Sequence, residues 1–139
     1  MKRWLLRIAV VALVLTSGAV FRSHLRSEAK KRREAAYQSA LQSYSENLKP
    51  GMTRNDVENY LRTSNVRFGQ MCCLGKQYYV DTVKVGEEGA PWYCSEAYVY
   101  VAIEFSATQS HEPLSGSHLA RDSDVLRRIE LFRPLTGCL

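Results

Sequence analysis

The sequence has few of the side-chain patterns that enzymes use. It contains three histidines, and Pro113 follows His111-Glu112, which prevents the helix that would place two imidazoles on one face. It has no Cys-x-x-Cys pair, no phosphate-cradling glycine motif and no nucleophile elbow. Internal repeats and low-complexity tracts are also lacking. We therefore expect a non-enzymatic protein with no catalytic residues, no metal site and no cofactor.

Positive charge is concentrated at the start of the chain. The formal net charge is +5, but residues 1–49 carry ten Lys and Arg against three Glu, whereas residues 50–139 carry nine against eleven Asp and Glu. A nucleic-acid-binding domain needs its basic patch within the folded part of the chain. The charge distribution therefore argues against nucleic acid and favours a membrane neighbour for the basic segment.

The first third of the chain has the order of a membrane-targeting segment. Residues 1–21 combine a basic start with an apolar run, which is typical of a signal peptide or a signal anchor. The span 4–21, about 18 residues, is near the lower limit for crossing a bilayer. Signal-peptide cleavage after Ala19 is one alternative, but the basic residues that follow favour an uncleaved anchor. Residues 22–36 form a basic helical linker whose run 22–33 suits anionic lipid headgroups.

Two signals disagree about which side of the membrane the domain occupies. The basic residues after the apolar run outnumber those before it, which favours the cytoplasm. Four cysteines in a small domain favour an oxidising compartment, where disulfides persist. We expect the domain to be exported to the extracytoplasmic, periplasmic side. The alternative is a cytoplasmic orientation with free thiols.

The sequence pattern predicts one α+β domain over residues 37–139. Tyr37, Leu41, Tyr44 and Leu48 form an apolar helical stripe that ends before Pro50-Gly51, and a second helix follows with Thr53 as its N-cap and Asp56 facing the cap. The hydrophobic period then changes to that of strands. Alternation predicts strands over residues 66–74, 77–86, 96–105 and 124–133. The expected architecture is an N-terminal membrane helix, then two helices packed on an antiparallel sheet of three to four strands.

The turn and second helix carry a family resemblance. The pattern Gly51-Met52-Thr53, then Val57 and Leu61, resembles the BamE (small outer-membrane lipoprotein A) family and its relatives similar to the β-lactamase inhibitor protein. The resemblance implies two helices on a three-stranded antiparallel sheet and a role in binding envelope proteins. The chain differs in having Arg62-Thr63 where that family usually has Gly-Pro, and in lacking a lipid-bearing Cys after the apolar run.

Two groups of side chains are candidates for structural or binding roles. Adjacent cysteines on a strand point to opposite faces, so Cys72 and Cys73 are expected to bond to Cys94 and Cys138, in either pairing. Aromatic residues opposite the apolar rows, or in the loop beside them, are candidate partner contacts: Tyr78, Trp92, Tyr93, Tyr98 and Tyr100.

The sequence thus predicts a membrane-anchored envelope domain that acts as a protein–protein interaction module. The alternative is an exported enzyme or ligand-binding domain with a site near loops 87–95 and 106–121, because long polar loops are often functional. A deep polar pocket with convergent ionisable groups would favour the alternative, and a flat aromatic surface would favour the interaction module.

Overall fold

The computed structural model describes residues 2–72, 79–106 and 120–139. The chain divides into two compact units, residues 1–36 and 37–139. Its elements are α1 (Lys2–Asn47), α2 (Arg54–Thr63), β1 (Gly69–Cys72), β2 (Tyr79–Glu88), β3 (Glu96–Ser106), β4 (Val125–Phe132) and β5 (Leu135–Thr136).

The unit of residues 1–36 is helical from Lys2 onwards. Four cations lie four, four and three residues apart, which places them on one face of the helix, and all four are exposed. We call them the basic stripe: Arg22, Arg26, Lys30 and Arg33. A membrane span was expected over residues 4–21. Within the described ranges, no helix is both long enough and apolar enough to cross a membrane.

The unit of residues 37–139 is an α+β domain whose strands are all antiparallel. The strand order is β1-β2-β3-β4, and β5 pairs with the first two residues of β3. The core lies between the helices and one face of the sheet. Its buried side chains are Leu48, Val57, Leu61, Val83, Val101, Ile103, Phe105 and Leu126.

The second half of α1 packs on this core as its apolar stripe predicts. Leu48 is buried, and Leu41 and Tyr44 contact the core cluster. Tyr37 is also buried, and its hydroxyl donates a hydrogen bond to the carbonyl oxygen of Glu87 at 3.2 Å. The tyrosine ring occupies the space in which Gly86 would otherwise carry a side chain, since an added Cβ would lie 2.3 Å from the ring.

The turn into α2 is closed by local hydrogen bonds. Gly51 has a φ of +98°, a conformation that glycine adopts without steric penalty. Thr53 is the N-cap: its hydroxyl accepts from the Asp56 backbone N–H at 3.2 Å and donates to the Asp56 carboxylate at 2.6 Å. An antiparallel bridge between Thr53 and Val125 attaches the turn to the start of β4.

Besides one-residue shifts at the ends of β3 and β4, the strands differ from the sequence-based prediction in three places. β1 begins at Gly69, three residues later than expected. β2 continues to Glu88 because a bulge between Lys84 and Gly86 lets it keep pairing with β3. The two-residue β5 was not predicted, because a strand that short has no hydrophobic period to detect.

Candidate functional site

The turn before β3 and the C-terminal tail form one stapled structure. We define the stapled tip as residues 91–95 together with residues 135–139. The Cys94 N–H donates to the Pro91 carbonyl at 2.9 Å, which closes the turn. The tail then pairs with it, because the Ser95 N–H donates to the Thr136 carbonyl at 3.1 Å and the Leu139 N–H donates to the Tyr93 carbonyl at 2.9 Å.

A disulfide joins the two segments of the stapled tip. Cys94 bonds to Cys138, so the prediction that each of these bonds to Cys72 or Cys73 is wrong. The reason is topological: β5 returns the tail to the start of β3, which brings Cys138 beside Cys94. Cys73 lies outside the described residues, as does the side chain of Cys72.

Gly137 makes the close approach of the two segments possible. Its φ is +60°, and a Cβ at this position would lie 2.1 Å from the Ser95 hydroxyl oxygen. Residues with a side chain rarely adopt this backbone conformation. Glycine therefore fits both the turn of the tail and its contact with Ser95.

The stapled tip carries large apolar side chains in contact with solvent. Trp92 is 91 % exposed and Tyr93 is 42 % exposed, and their rings meet edge to face with centroids 5.8 Å apart. Leu135 and Leu139 are exposed as well. Tryptophan is one of the largest apolar side chains and is highly buried on average. A nearly fully exposed tryptophan on a covalently fixed turn is therefore unusual.

The other predicted aromatic residues lie in a different environment. Tyr98 and Tyr100 are half-buried on β3, and their rings are in an edge-to-face arrangement with centroids 6.1 Å apart. The Lys84 ammonium lies 3.6 Å from the centroid of the Tyr98 ring, and a hydrogen bond with Glu96 raises the pKa of Tyr98. These contacts engage both rings with neighbours in the sheet. Tyr78 lies outside the described residues.

A second unusual site lies beneath α2 and was missed at the level of sequence. Arg54, the first residue of α2, is 2 % exposed, and its Nη1 donates to Oδ1 of the fully buried Asp81 on β2 at 2.5 Å. The guanidinium lies 4.1 Å from the centroid of the Phe105 ring, and its Nε is 3.8 Å from Oδ2 of Asp124. Burial raises the pKa of Asp81 to about 7, against the opposing effect of Arg54.

The sequence did contain a signal for this buried acid. Asp81 alternates with Val83 and Val85 and so occupies a core position of its strand.

Two further ion pairs flank the sheet. Glu58, buried on α2, accepts hydrogen bonds from Arg62 and from Gln70 on β1. On the opposite face of the sheet, Arg128 donates to both carboxylate oxygens of Glu104, at 2.8 and 2.9 Å. Gln70 links Glu58 to β1, and the Arg128–Glu104 pair joins β4 to β3.

The alternative site near loops 87–95 and 106–121 is only partly described. Residues 107–119, which include His111 and His118, lie outside the described ranges. Among the residues that the structure does describe, no three His, Cys, Asp or Glu side chains form a group that could hold a metal ion. Within the described part of this region, residues 91–95 belong to the stapled tip, whose exposed groups are mainly apolar. Glu87 and Glu88 precede it and form ion pairs with Lys84 and Arg133.

Comparison with known proteins adds no relative. No protein-family model, no curated protein and no solved structure matches this chain.

Proposed function

We propose that this protein is a non-enzymatic interaction module of the cell envelope, and that it binds another envelope protein through the stapled tip. The observation that carries the proposal is the exposure of Trp92 and Tyr93 on a turn that is fixed by a disulfide and by backbone hydrogen bonds. Tryptophan and tyrosine are the residues that most often dominate the binding energy of protein interfaces.

The way the tip is held supports this proposal. A binding surface that is ordered before it meets its partner loses less conformational entropy on association. The Cys94–Cys138 bond and the Leu139–Tyr93 hydrogen bond order both segments in advance. Trp92 can therefore insert into a partner's pocket without a folding step.

Three observations support an envelope location. The Cys94–Cys138 disulfide is of a kind that persists outside the reducing cytosol. The turn and helix from Gly51 to Leu61 carry the resemblance to the BamE family, which implies the same location. The exposed basic stripe offers four cations to anionic lipid headgroups.

The test of partner binding is site-specific photocrosslinking followed by affinity measurement. A photoreactive phenylalanine analogue replaces Trp92 in intact cells, and the same analogue at Asn59, an exposed position on α2, is the matched control. We expect one dominant adduct from position 92 that is absent from position 59. With the partner identified and purified, Trp92→Ala should weaken its binding by tenfold or more, as for an interface hot spot.

Two results would overturn this function. Identical adducts at both positions would show that contact with the tip is not selective. An unchanged dissociation constant for Trp92→Ala, with the partner from the crosslink, would show that the exposed tryptophan does not contribute to binding.

The membrane part of the proposal has its own test. Cosedimentation of the full-length chain with phosphatidylglycerol vesicles, compared with neutral phosphatidylcholine vesicles, should show a salt-sensitive preference for the anionic surface. Charge reversal of the basic stripe to Glu should abolish this preference. The control reverses four exposed cations of the other unit and should retain the preference: Lys49, Arg67, Arg121 and Arg127. An equal loss in both variants would reject the stripe as the lipid-binding surface.

A further inference from the structure

The cluster beneath α2 places two carboxylates around one cation. Arg54 contacts Asp81 through Nη1 and lies 3.8 Å from Asp124 through Nε. Asp81 is fully buried, and its second carboxylate oxygen, Oδ2, has no hydrogen-bond partner among the described residues. An ionised carboxylate with one unsatisfied oxygen is unfavourable in a buried site.

Among the described residues, Arg54 is the one cation in contact with Asp81, and Arg62 lowers the pKa of Asp81 only from a distance. Glu58 and Arg62, both on α2, are hydrogen-bonded to each other, and the Arg62 side chain is largely exposed. Asp124, at the start of β4, accepts from the Arg121 backbone N–H at 3.0 Å. The strand partners of Asp81 are Ile103 on β3 and Gln70 on β1, and the Phe105 ring lies against Arg54; none of these side chains carries a charge. Two acids therefore share the Arg54 guanidinium, and Asp81 is the more deeply buried of the two.

We propose that Asp81 is a proton-binding site that sets how firmly the start of α2 is held on the sheet, so that mild acidity tightens the domain and alkaline conditions loosen it. When Asp81 is protonated, Arg54 still donates to its carbonyl oxygen, and the cluster holds one cation and one anion. When Asp81 is ionised, the cluster buries an excess negative charge. Opening of α2 from Arg54 onwards admits water to that charge and relieves it. This inference is independent of the proposed binding function.

The direction of the effect follows from proton linkage. Asp81 has a pKa of about 7 in the folded protein, whereas an aspartate in an unfolded chain has a pKa of about 3.9. Between about pH 4 and pH 7 the folded protein therefore holds a proton that the unfolded chain has released. In this window the unfolding equilibrium constant should rise with pH, by up to about tenfold per pH unit. Above about pH 7, Asp81 is ionised in both states, so its effect on the unfolding equilibrium constant should no longer change with pH.

The first measurement is the titration of the Asp81 carboxyl carbon by NMR in the full-length chain, assigned with Asp81→Asn. We expect its midpoint near pH 7. A resonance that stays at its ionised position down to pH 5 would overturn the inference, because Asp81 would then be an ordinary charged partner of Arg54. This measurement does not require any variant to be stable.

The second measurement is hydrogen exchange of the α2 amides, corrected for intrinsic exchange, at pH 5.5 and pH 7.5. Protection of residues 57–63 should fall by at least tenfold over this range in the wild-type chain. Asp81→Asn, a neutral isostere of the protonated form, should remove most of this change, whereas Asp122→Asn, the same substitution at an exposed site, should leave it intact. An unchanged pH response in Asp81→Asn, or an equal loss in both variants, would reject the role of Asp81.

Discussion

Beneath α2 the domain buries charge, whereas at the stapled tip it exposes apolar side chains. Arg54 and Asp81 are almost fully buried, and Trp92 is almost fully exposed. Each arrangement reverses the usual partition of side chains between core and surface. They are stabilised by different means. Arg54 pairs with Asp81 and stacks on the Phe105 ring, whereas the turn that carries Trp92 is held by a disulfide and by backbone hydrogen bonds.

The difference shows what each region tolerates. The cluster beneath α2 depends on the Arg54 cation, so the loss of Arg54 leaves the Asp81 carboxylate buried and uncompensated. The tip depends on its backbone, so an exposed side chain can be removed without consequence for folding. Three variants separate these two cases, and a fourth, at Gly86, tests the packing of α1 on the sheet.

The largest effect should come from Arg54→Met. The variant keeps most of the side-chain volume but removes the cation beside Asp81, and breaking a buried pair costs about 3–5 kcal/mol of unfolding free energy. Urea denaturation at pH 8 measures it. The control is Arg62→Met in the same helix. The Arg62 side chain is largely exposed, and Gln70 still donates to the buried Glu58 when Arg62 is removed, so this loss should be smaller than that of Arg54→Met.

The loss in Arg54→Met should be smaller at pH 5, because a protonated Asp81 no longer needs a cation. Equal losses for Arg54→Met and Arg62→Met would contradict the comparison, since the fully buried Arg54–Asp81 pair would then contribute no more than the half-exposed Arg62–Glu58 pair.

The next largest effect should come from replacing Cys94 and Cys138 together with Ser. The bond closes a sequence separation of 44 residues, and bridges of this kind contribute about 2–4 kcal/mol. Denaturant unfolding gives the total loss of unfolding free energy, and hydrogen exchange shows which segments lose protection. Protection of the Ser95 and Leu139 amides should fall more than that of the α2 amides. An equal loss of protection in the stapled tip and in α2 would show that the disulfide stabilises the whole domain without specifically ordering the tip.

A smaller effect is expected from Gly86→Ala on β2. The new methyl group would overlap the ring of the buried Tyr37, and overpacking of this kind costs about 1–3 kcal/mol. Gly89→Ala, which has nothing within 4 Å of its new Cβ, is the matched control and should change stability by less than about 0.5 kcal/mol. Equal effects would mean that α1 does not pack closely at this point.

The smallest effect on stability should come from Trp92→Ala. Because the side chain is 91 % exposed, the unfolding free energy should change by less than about 0.5 kcal/mol. Thermal denaturation checks this directly. A loss above about 1 kcal/mol would show that Trp92 packs on the domain, and the contrast between the two regions would disappear.

The sheet and its core face were predictable because they follow simple periods. Ala97, Val99, Val101, Ile103 and Phe105 alternate without interruption along β3, and all are buried. The apolar stripe of α1 was predictable for the same reason. In both cases one element's own sequence determines which face is buried.

The two unusual regions were less accessible from sequence, because they depend on distant pairings. Arg54 and Asp81 are 27 residues apart, and nothing local to either residue identifies the other as its partner. The Cys94–Cys138 bond depends on β5, which is two residues long. The exposure of Trp92 was suggested by its loop position. The turn that carries it is ordered only because β5 pairs with β3 and places the C-terminal tail beside it.

The disulfide also determines what a protease would leave behind. Cys94 precedes β3 and Cys138 follows β4, so the bond encloses both strands in one covalent ring. A single cut between residues 107 and 119 would open the ring without separating the pieces. The nicked protein should migrate as one molecule without reductant and as two fragments with it, which makes the ring visible on a gel.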